Sequence, residues 1–414
     1  MPLLPSPRAP SGAAAPAPRF PPQEWRAEKK RLFAFGKVAL QVMDIPLVDL
    51  RAQYTTIQSE VLAAIEGVLN GMQLLPGPQT CLFEEEFAAF CGARYGIGVA
   101  SGTEALELAL RACRIGSGDE VITVANSFIA TVEAIALVGA RPVFVDIEPE
   151  SYMLNWHQLE EVVTERTRAI IPVHLYGHPA DMQPIRAFAQ RYGLRVIEDA
   201  SQAHGTRYAG KAVGGLGNIG CFSLYCSKQL GAYGEAGICV TDDQELAHVM
   251  RMWRDHGSQE RYQHEFLGKN GRMDEIQAAI LRVKLRYLEQ WNRARQAHAQ
   301  FYTEHLREVV AKVPVTQSWA THSYYVYVVE VEGRNALREA LAAEGIATGI
   351  HYPLPLHLQP ASAVYGYERG SFPVTERVAE RIVSLPLYPE LTEAQLLAVT
   401  AAVKRFFVAR KFDL

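Results

Sequence analysis

The run Phe222-Ser223-Leu224-Tyr225-Cys226-Ser227-Lys228-Gln229-Leu230-Gly231-Ala232-Tyr233-Gly234-Glu235-Ala236-Gly237 starts as an apolar, aromatic strand and reaches a single lysine. It then passes into a loop with three glycines in seven residues. An amine set among apolar groups gives up hydration that stabilises its charge, which frees it to act as a nucleophile toward a carbonyl. That is the requirement for a Schiff-base lysine. The same residues also suit a lysine that lays its stem along a strand end and keeps its head in water. The remaining chain has to decide between the two.

Working outward, helical and extended patterns alternate from about residue 85, in the manner of an α/β domain. Helical spacing runs over Glu84 to Cys91, Thr103 to Cys113, Ser127 to Val138 and Met182 to Tyr192. Continuous apolar runs at Glu120 to Val124, Pro142 to Ile147, Ala169 to Leu175, Leu194 to Ile197, Cys221 to Tyr225 and Gly237 to Thr241 suit strands covered on both faces. A helix follows over 244–255, then one long amphipathic stretch from Met273 to about Glu304. Beyond it, a strand at Ser323 to Val331 and helices at Asn335 to Ala343 and Glu393 to Phe407 predict a smaller α+β domain. The expected division is 43–290 for a large domain with a mostly parallel mixed sheet and 291–414 for the small one.

Four segments supply what a pyridoxal phosphate site needs around Lys228. Ser101-Gly102-Thr103 places small residues before a helix, where free backbone N–H groups and a hydroxyl suit a phosphate, although a plain capped helix start looks the same. Val196-Ile197-Glu198-Asp199-Ala200-Ser201-Gln202 puts acids at the carboxyl end of a strand, the usual ligand crevice of such sheets. A carboxylate there can keep a pyridine nitrogen protonated and make the ring an electron sink. No histidine or carboxylate cluster at ligand spacing accompanies it, so a metal is the poorer reading. Ser223 adds a hydroxyl, and Phe128 follows a strand where its ring can lie against a planar cofactor. Gly215-Leu216-Gly217-Asn218-Ile219-Gly220 matches the dinucleotide fingerprint, but a turn precedes it and a strand follows it. The motif requires the reverse order of strand and helix, so a loop or hairpin is expected.

Composition sets the class. A chain of 414 residues with 49% apolar side chains can bury a large core, and a net charge of -4 argues against a general nucleic-acid binder. No apolar run approaches the length of a membrane span. Six cysteines at 81, 91, 113, 221, 226 and 239, without a Cys-x-x-Cys pair, suit reduced thiols of a cytoplasmic protein. Eight of the 23 prolines fall in residues 1–22, and residues 1–42 carry seven Lys/Arg against two Asp/Glu, leaving 34 against 43 in the remainder. A disordered extension over 1–42 is expected, with Met43 opening the functional chain and a transit peptide as the weaker alternative.

From Ile45-Pro46-Leu47-Val48-Asp49-Leu50 to the C-terminus the chain resembles the DegT/StrS-type sugar aminotransferases, pyridoxal phosphate enzymes of fold type I. The resemblance implies that Lys228 carries the cofactor and that Asp199 pairs with its pyridine nitrogen. It assigns Gly102, Thr103 and Ser223 to the phosphate, Gln202 to the ring hydroxyl and Phe128 to ring stacking. Gly268-Lys269-Asn270-Gly271-Arg272 resembles a loop that crosses to a second subunit, which implies a homodimer with shared active sites. Asn270 would then reach the neighbour's phosphate and Arg272 would lie near the substrate. Gly349-Ile350-His351-Tyr352-Pro353 matches a segment lining a sugar pocket, which makes His351, Tyr352 and Tyr225 candidate substrate contacts. Departures include Gln229 where asparagine is usual and Glu235-Ala236-Gly237 where a glycine pair is common.

The implied reaction moves an amino group, with L-glutamate as the expected donor, to a keto group of a nucleotide-linked sugar. Val124 to Thr131 and Ile171 to Gly177 are most similar to members acting at C3 of dTDP-3-keto-6-deoxyhexoses. A C4-keto nucleotide sugar, a keto-inositol, or a cofactor-binding regulator without turnover are the alternatives.

Overall fold

The computed structural model describes residues 44–411, so the expected extension over 1–42 and the role of Met43 lie outside the described residues. Among the described residues the first two helices are α1 (Leu50–Gly71) and α2 (Pro78–Cys91). There follow β1 (Tyr95–Val99), α3 (Gly102–Ala112), β2 (Glu120–Val124), α4 (Ala130–Leu137), β3 (Arg141–Val145), β4 (Thr167–Ile170), α5 (Met182–Tyr192) and β5 (Arg195–Asp199). Next come β6 (Ile219–Ser223), β7 (Gly237–Thr241), α6 (Gln244–Arg254), α7 (Glu275–Leu285) and α8 (Leu288–Leu306). The chain continues through β8 (Tyr327–Glu330), α9 (Arg334–Ala343), α10 (Pro373–Arg381), β9 (Ile382–Leu385) and α11 (Glu393–Lys411).

β1 to β7 form one sheet in the order β1-β7-β6-β5-β4-β2-β3, in which β7 alone runs against the others. The continuous apolar runs are explained by burial of both faces, since successive side chains point to opposite sides. Ile122, Val196, Phe222, Ile238 and Val240 enter a core shared with α2, α5 and α7. Their neighbours Val121, Ile197, Cys221 and Cys239 enter a second core with α3, α4 and α6. A third core gathers α8, β8, α9, β9 and α11, with β8 and β9 paired antiparallel from Tyr327 opposite Leu385.

Several sequence expectations need correction. The stretch from Met273 to Glu304 is two helices: at their junction Tyr287 N–H bonds the Lys284 carbonyl, three residues back, and both Arg286 and Tyr287 reach Glu60 on α1. The helix expected from Ser127 starts at Ala130, and the strand expected to reach Tyr225 ends at Ser223. The regular strand expected from Ala169 to Leu175 ends at Ile170, although Pro172 and His174 still bond to Asp199 before a 3-10 turn at Leu175–Gly177. Gly215 to Asn218 is a turn and Ile219-Gly220 opens β6, as the fingerprint's wrong context implied. Among the described residues no helix is long and apolar enough to cross a membrane.

Candidate active site

The carboxyl ends of β1, β2, β4, β5 and β6 converge on one cavity of about 450 Å³. Ser101, Gly102 and Thr103 line it where β1 gives way to α3. Ser101 is the helix cap, its hydroxyl accepting from Glu104 N–H at 3.1 Å, and Glu104 in the first turn complements the positive helix end. Gly102 is required by a close approach: a Cβ there would lie 2.5 Å from the Ser223 Cβ. The first turn of α3 is thereby seated on the end of β6, with the Thr103 and Ser223 hydroxyl residues both lining the cavity.

Asp199 ends β5 and is buried. Its Oδ2 accepts from Thr131 Oγ1 at 2.8 Å and its Oδ1 from Ser201 N–H at 3.2 Å, while Thr131 Oγ1 also contacts Ser127 Oγ at 2.8 Å. Gln202 is oriented from both sides, accepting from Tyr176 N–H at 2.8 Å and donating to the Tyr352 hydroxyl at 2.9 Å. Gln229 fixes the backbone beneath it, donating to the Gln202 carbonyl and Ser323 Oγ, each at 2.9 Å.

Lys228 lies on the turn after β6, its N–H bonded to the Tyr225 carbonyl at 2.8 Å. The side chain is half-buried, and Nζ sits 4.5 Å from the centre of the Tyr325 ring. The sequence placed this amine among apolar residues; the structure gives it an aromatic face and a partly open cavity, a geometry favourable to a cation. His351 stands close enough to feel that charge. Burial, and then the charge of Lys228, push its imidazole down to about 4, and its Nδ1 meets Ser384 Oγ at 2.7 Å. Burial also holds the Tyr352 phenol well above its ordinary range. Phe128 is half exposed at the cavity, its ring 5.6 Å from that of Tyr352.

The cavity thus brings together Gly102, Thr103, Phe128, Asp199, Gln202, Ser223, Tyr225, Lys228, His351 and Tyr352. It does not include Asn270 or Arg272. These line a neighbouring cavity of about 330 Å³ with Leu75 and Gln277, and Glu235 lines both spaces. Asn270 Oδ1 accepts from Arg272 at 2.9 Å, and Arg272 pairs with Asp255 at 2.8 Å. Sequence reasoning missed Tyr325, Thr131, Ser201 and Glu235. Tyr325 precedes a strand more than 90 residues from Lys228 and carries no local signal. Thr131 was recoverable in principle, because a hydroxyl near a helix start is a ready donor to a carboxylate.

A seat without room for a Cβ at a helix N-terminus, flanking hydroxyls, a buried carboxylate with capacity to spare and a lysine on one cavity match the donor set that pyridoxal phosphate requires. The fold and this site define a pyridoxal phosphate-dependent transferase of fold type I. The chain belongs to the DegT/DnrJ/EryC1/StrS aminotransferase family, whose sequence profile matches residues 55–404. It is 45% identical over 361 residues to the UDP-N-acetyl-3-dehydro-alpha-D-glucosamine 3-aminotransferase of Acidithiobacillus ferrooxidans, covering 87% of this chain and 97% of that one. It is 44% identical over 363 residues to the dTDP-3-amino-3,4,6-trideoxy-alpha-D-glucose transaminase of Streptomyces venezuelae, covering 87% and 96%. Among solved structures, DesV of S. venezuelae in complex with a ketimine intermediate superposes with a TM-score of 0.86 at 44% identity, covering 88% of this chain and 98% of that one. The protein is accordingly an aminotransferase.

Proposed function

We propose that this enzyme transfers an amino group, from L-glutamate, to the C3 keto group of a dTDP-3-keto-6-deoxyhexose. The observation that carries the reading is the single cavity that joins Lys228, Asp199 and the Gly102 seat to His351 and Tyr352. Amination at C3 is supported by the names of both relatives, which differ in the nucleotide they carry. A UDP-linked 3-keto sugar is therefore the second reading, supported by the Acidithiobacillus relative.

In this reading Gly102, Thr103 and Ser223 hold the cofactor phosphate, Gln202 meets the ring hydroxyl, and Phe128 packs on the ring. Bound pyridoxal phosphate supplies an electron sink that lets an amino group pass between carbonyl carbons. Lys228 Nζ would anchor the cofactor, and its free amine would take a proton at one carbon and return it at another. Asp199, oriented by Thr131 and Ser201, presents a fixed negative charge toward the pyridine nitrogen. Tyr225, His351 and Tyr352 contact the sugar. We further place the enzyme in the cytoplasm as a homodimer in which Asn270 and Arg272 serve the partner's site. The exposed Leu62, Leu69, Met72, Leu74 and Leu75, on α1 and the turn after it, support such an interface. A division at about residue 290 into a large and a small domain belongs to the same proposal.

The test is direct. L-Glutamate should shift the visible absorbance of the bound cofactor, and a panel of dTDP- and UDP-linked 3-keto and 4-keto sugars, read by mass spectrometry, should give an aminated product from a 3-keto dTDP sugar. Lys228→Ala should abolish turnover; full activity in that variant would overturn the mechanism.

A further inference from the structure

Lys284, one residue before the end of α7, is wholly buried. A buried lysine is ordinarily tolerated only with an ionic partner, since an uncompensated charge in a core is strongly destabilising. Among the described residues none of the ion pairs involves it. Its Nζ donates to the Gly231 carbonyl and lies 5.0 Å from the centre of the Tyr233 ring. The other groups whose charge reaches it are Cys226, Glu390 and Arg295, and Glu390 Oε2 is itself buried without a hydrogen-bond partner. Burial pushes the Lys284 amine down to about 8.

Both of its contacts belong to one element, the loop that presents Lys228. That loop is closed by Ala232 N–H on the Leu224 carbonyl and Lys228 N–H on the Tyr225 carbonyl, each at 2.8 Å. It is folded so tightly that a Cβ on Gly231 would lie 2.5 Å from the Cys226 carbonyl oxygen. Gly231 therefore touches both the turn of Lys228, at the Cys226 carbonyl, and the amine of Lys284. A charge-assisted bond to a carbonyl is stronger than a neutral one and is directional, whereas an apolar side chain of the same length would fill the space without gripping the loop.

We propose that Lys284 is a positioning residue for Lys228: by holding the Gly231 carbonyl from within the core, it fixes the height of the loop that carries the catalytic amine. The inference rests on the reading of Lys228 as the cofactor-bearing residue.

Lys284→Met and Lys284→Gln, purified with the cofactor, test it by amide hydrogen exchange of the loop and by the pH midpoint of the cofactor's visible band. In Lys284→Met the amides of Lys228 and Ala232 are expected to exchange about tenfold faster, the equivalent of one lost hydrogen bond. The pH midpoint should move, and kcat should fall about tenfold with KM for the amino donor unchanged. Lys284→Gln keeps an N–H donor for Gly231 and should recover part of each effect. Wild-type exchange and a wild-type pH midpoint in Lys284→Met would refute the proposal. So would failure of both variants to fold, because the role would then be merely structural. Turnover retained by Lys228→Ala would instead sink the reading of Lys228 and leave the exchange result to be judged separately.

Discussion

The hydroxyl of Thr131 is the strongest support that Asp199 receives from a side chain. In Thr131→Val the shape is preserved and the 2.8 Å bond to Oδ2 is lost, leaving Asp199 with the longer 3.2 Å contact from Ser201 N–H. A hydrogen bond to a charged group contributes about 1.5–3 kcal/mol. If that orientation is needed in the transition state, the rate of the amino-donor half-reaction falls about 10- to 150-fold, at about 1.4 kcal/mol per decade. The same change strands the buried Ser127 Oγ, which contacts Thr131 at 2.8 Å, and costs about 1–3 kcal/mol of stability. Thr131→Ser keeps the hydroxyl and separates the two effects, since it should restore the rate while leaving a small methyl-sized defect. The assay is rapid mixing of the enzyme with saturating donor, followed by the cofactor's visible absorbance, alongside urea unfolding of each variant. A Thr131→Val enzyme that is destabilised yet turns over its donor at the wild-type rate would refute the argument, because Asp199 would then need no side-chain orientation.

Gly102→Ala puts a Cβ 2.5 Å from the Ser223 Cβ and 2.8 Å from its Cα, so the start of α3 must lift off β6. Overpacking of this kind costs about 1–3 kcal/mol, and the loss should appear as about 5- to 150-fold weaker binding of the cofactor in equilibrium dialysis, with unchanged far-UV circular dichroism; wild-type affinity would remove Gly102 from the phosphate seat. A second expectation concerns acid. Burial pushes His178 and His351 down to about 4 and His204 to about 3, whereas an unfolded imidazole takes a proton near pH 6.5. Between those values the unfolded chain binds more protons, so stability rises with pH there: it is fully present above about pH 6.5 and is lost as pH falls toward 4. The buried His178 contributes on the order of 3 kcal/mol to this loss and His204 on the order of 5 kcal/mol, the latter complete only near pH 3. A urea midpoint that stays level from pH 7 to pH 5 would show that these rings are accessible in the folded protein.

The sheet was legible because burial on both faces writes itself as continuous apolar runs, as at Glu120 to Val124 and Gly237 to Thr241. β1 escaped notice because Tyr95-Gly96-Ile97-Gly98-Val99 alternates with glycines. Those glycines admit α2 so closely that a Cβ at Gly96 would lie 2.3 Å from the Glu84 carbonyl oxygen. The break between α7 and α8 was invisible because helical spacing continues through Arg286 and Tyr287, and the junction lies where both side chains turn to Glu60, more than 200 residues away. At the site, Lys228, Asp199 and the Gly102 seat follow from local pattern: a strand end, a small-residue turn, a helix start. Tyr325 and Glu235 become visible only once distant loops are folded over the same cavity.

Adjacent acids on β5 show how the sheet separates a site from its scaffold. Strand alternation sends Glu198 and Asp199 to opposite faces. A carboxylate offers about four acceptor positions, and Glu198 uses them all, on the N–H groups of Gly214 at 2.7 Å, Leu216 at 2.7 Å and Gly217 at 2.6 Å and on His174 Nε2 at 2.9 Å. Ala180 N–H donates to His174 Nδ1 at 3.0 Å, so Nε2 carries the proton and gives it to Glu198. The glycine run that mimics a dinucleotide fingerprint is thus wrapped around an internal anion, which fixes the turn into β6 and, through β6, the position of Ser223. Among the described residues Asp199 accepts from two donors, and it faces the cavity, which leaves it acceptor capacity for a ligand. The saturated acid builds the frame, and of the two residues Asp199 alone keeps acceptor capacity on the cavity side, which is what the proposed contact with a cofactor nitrogen requires.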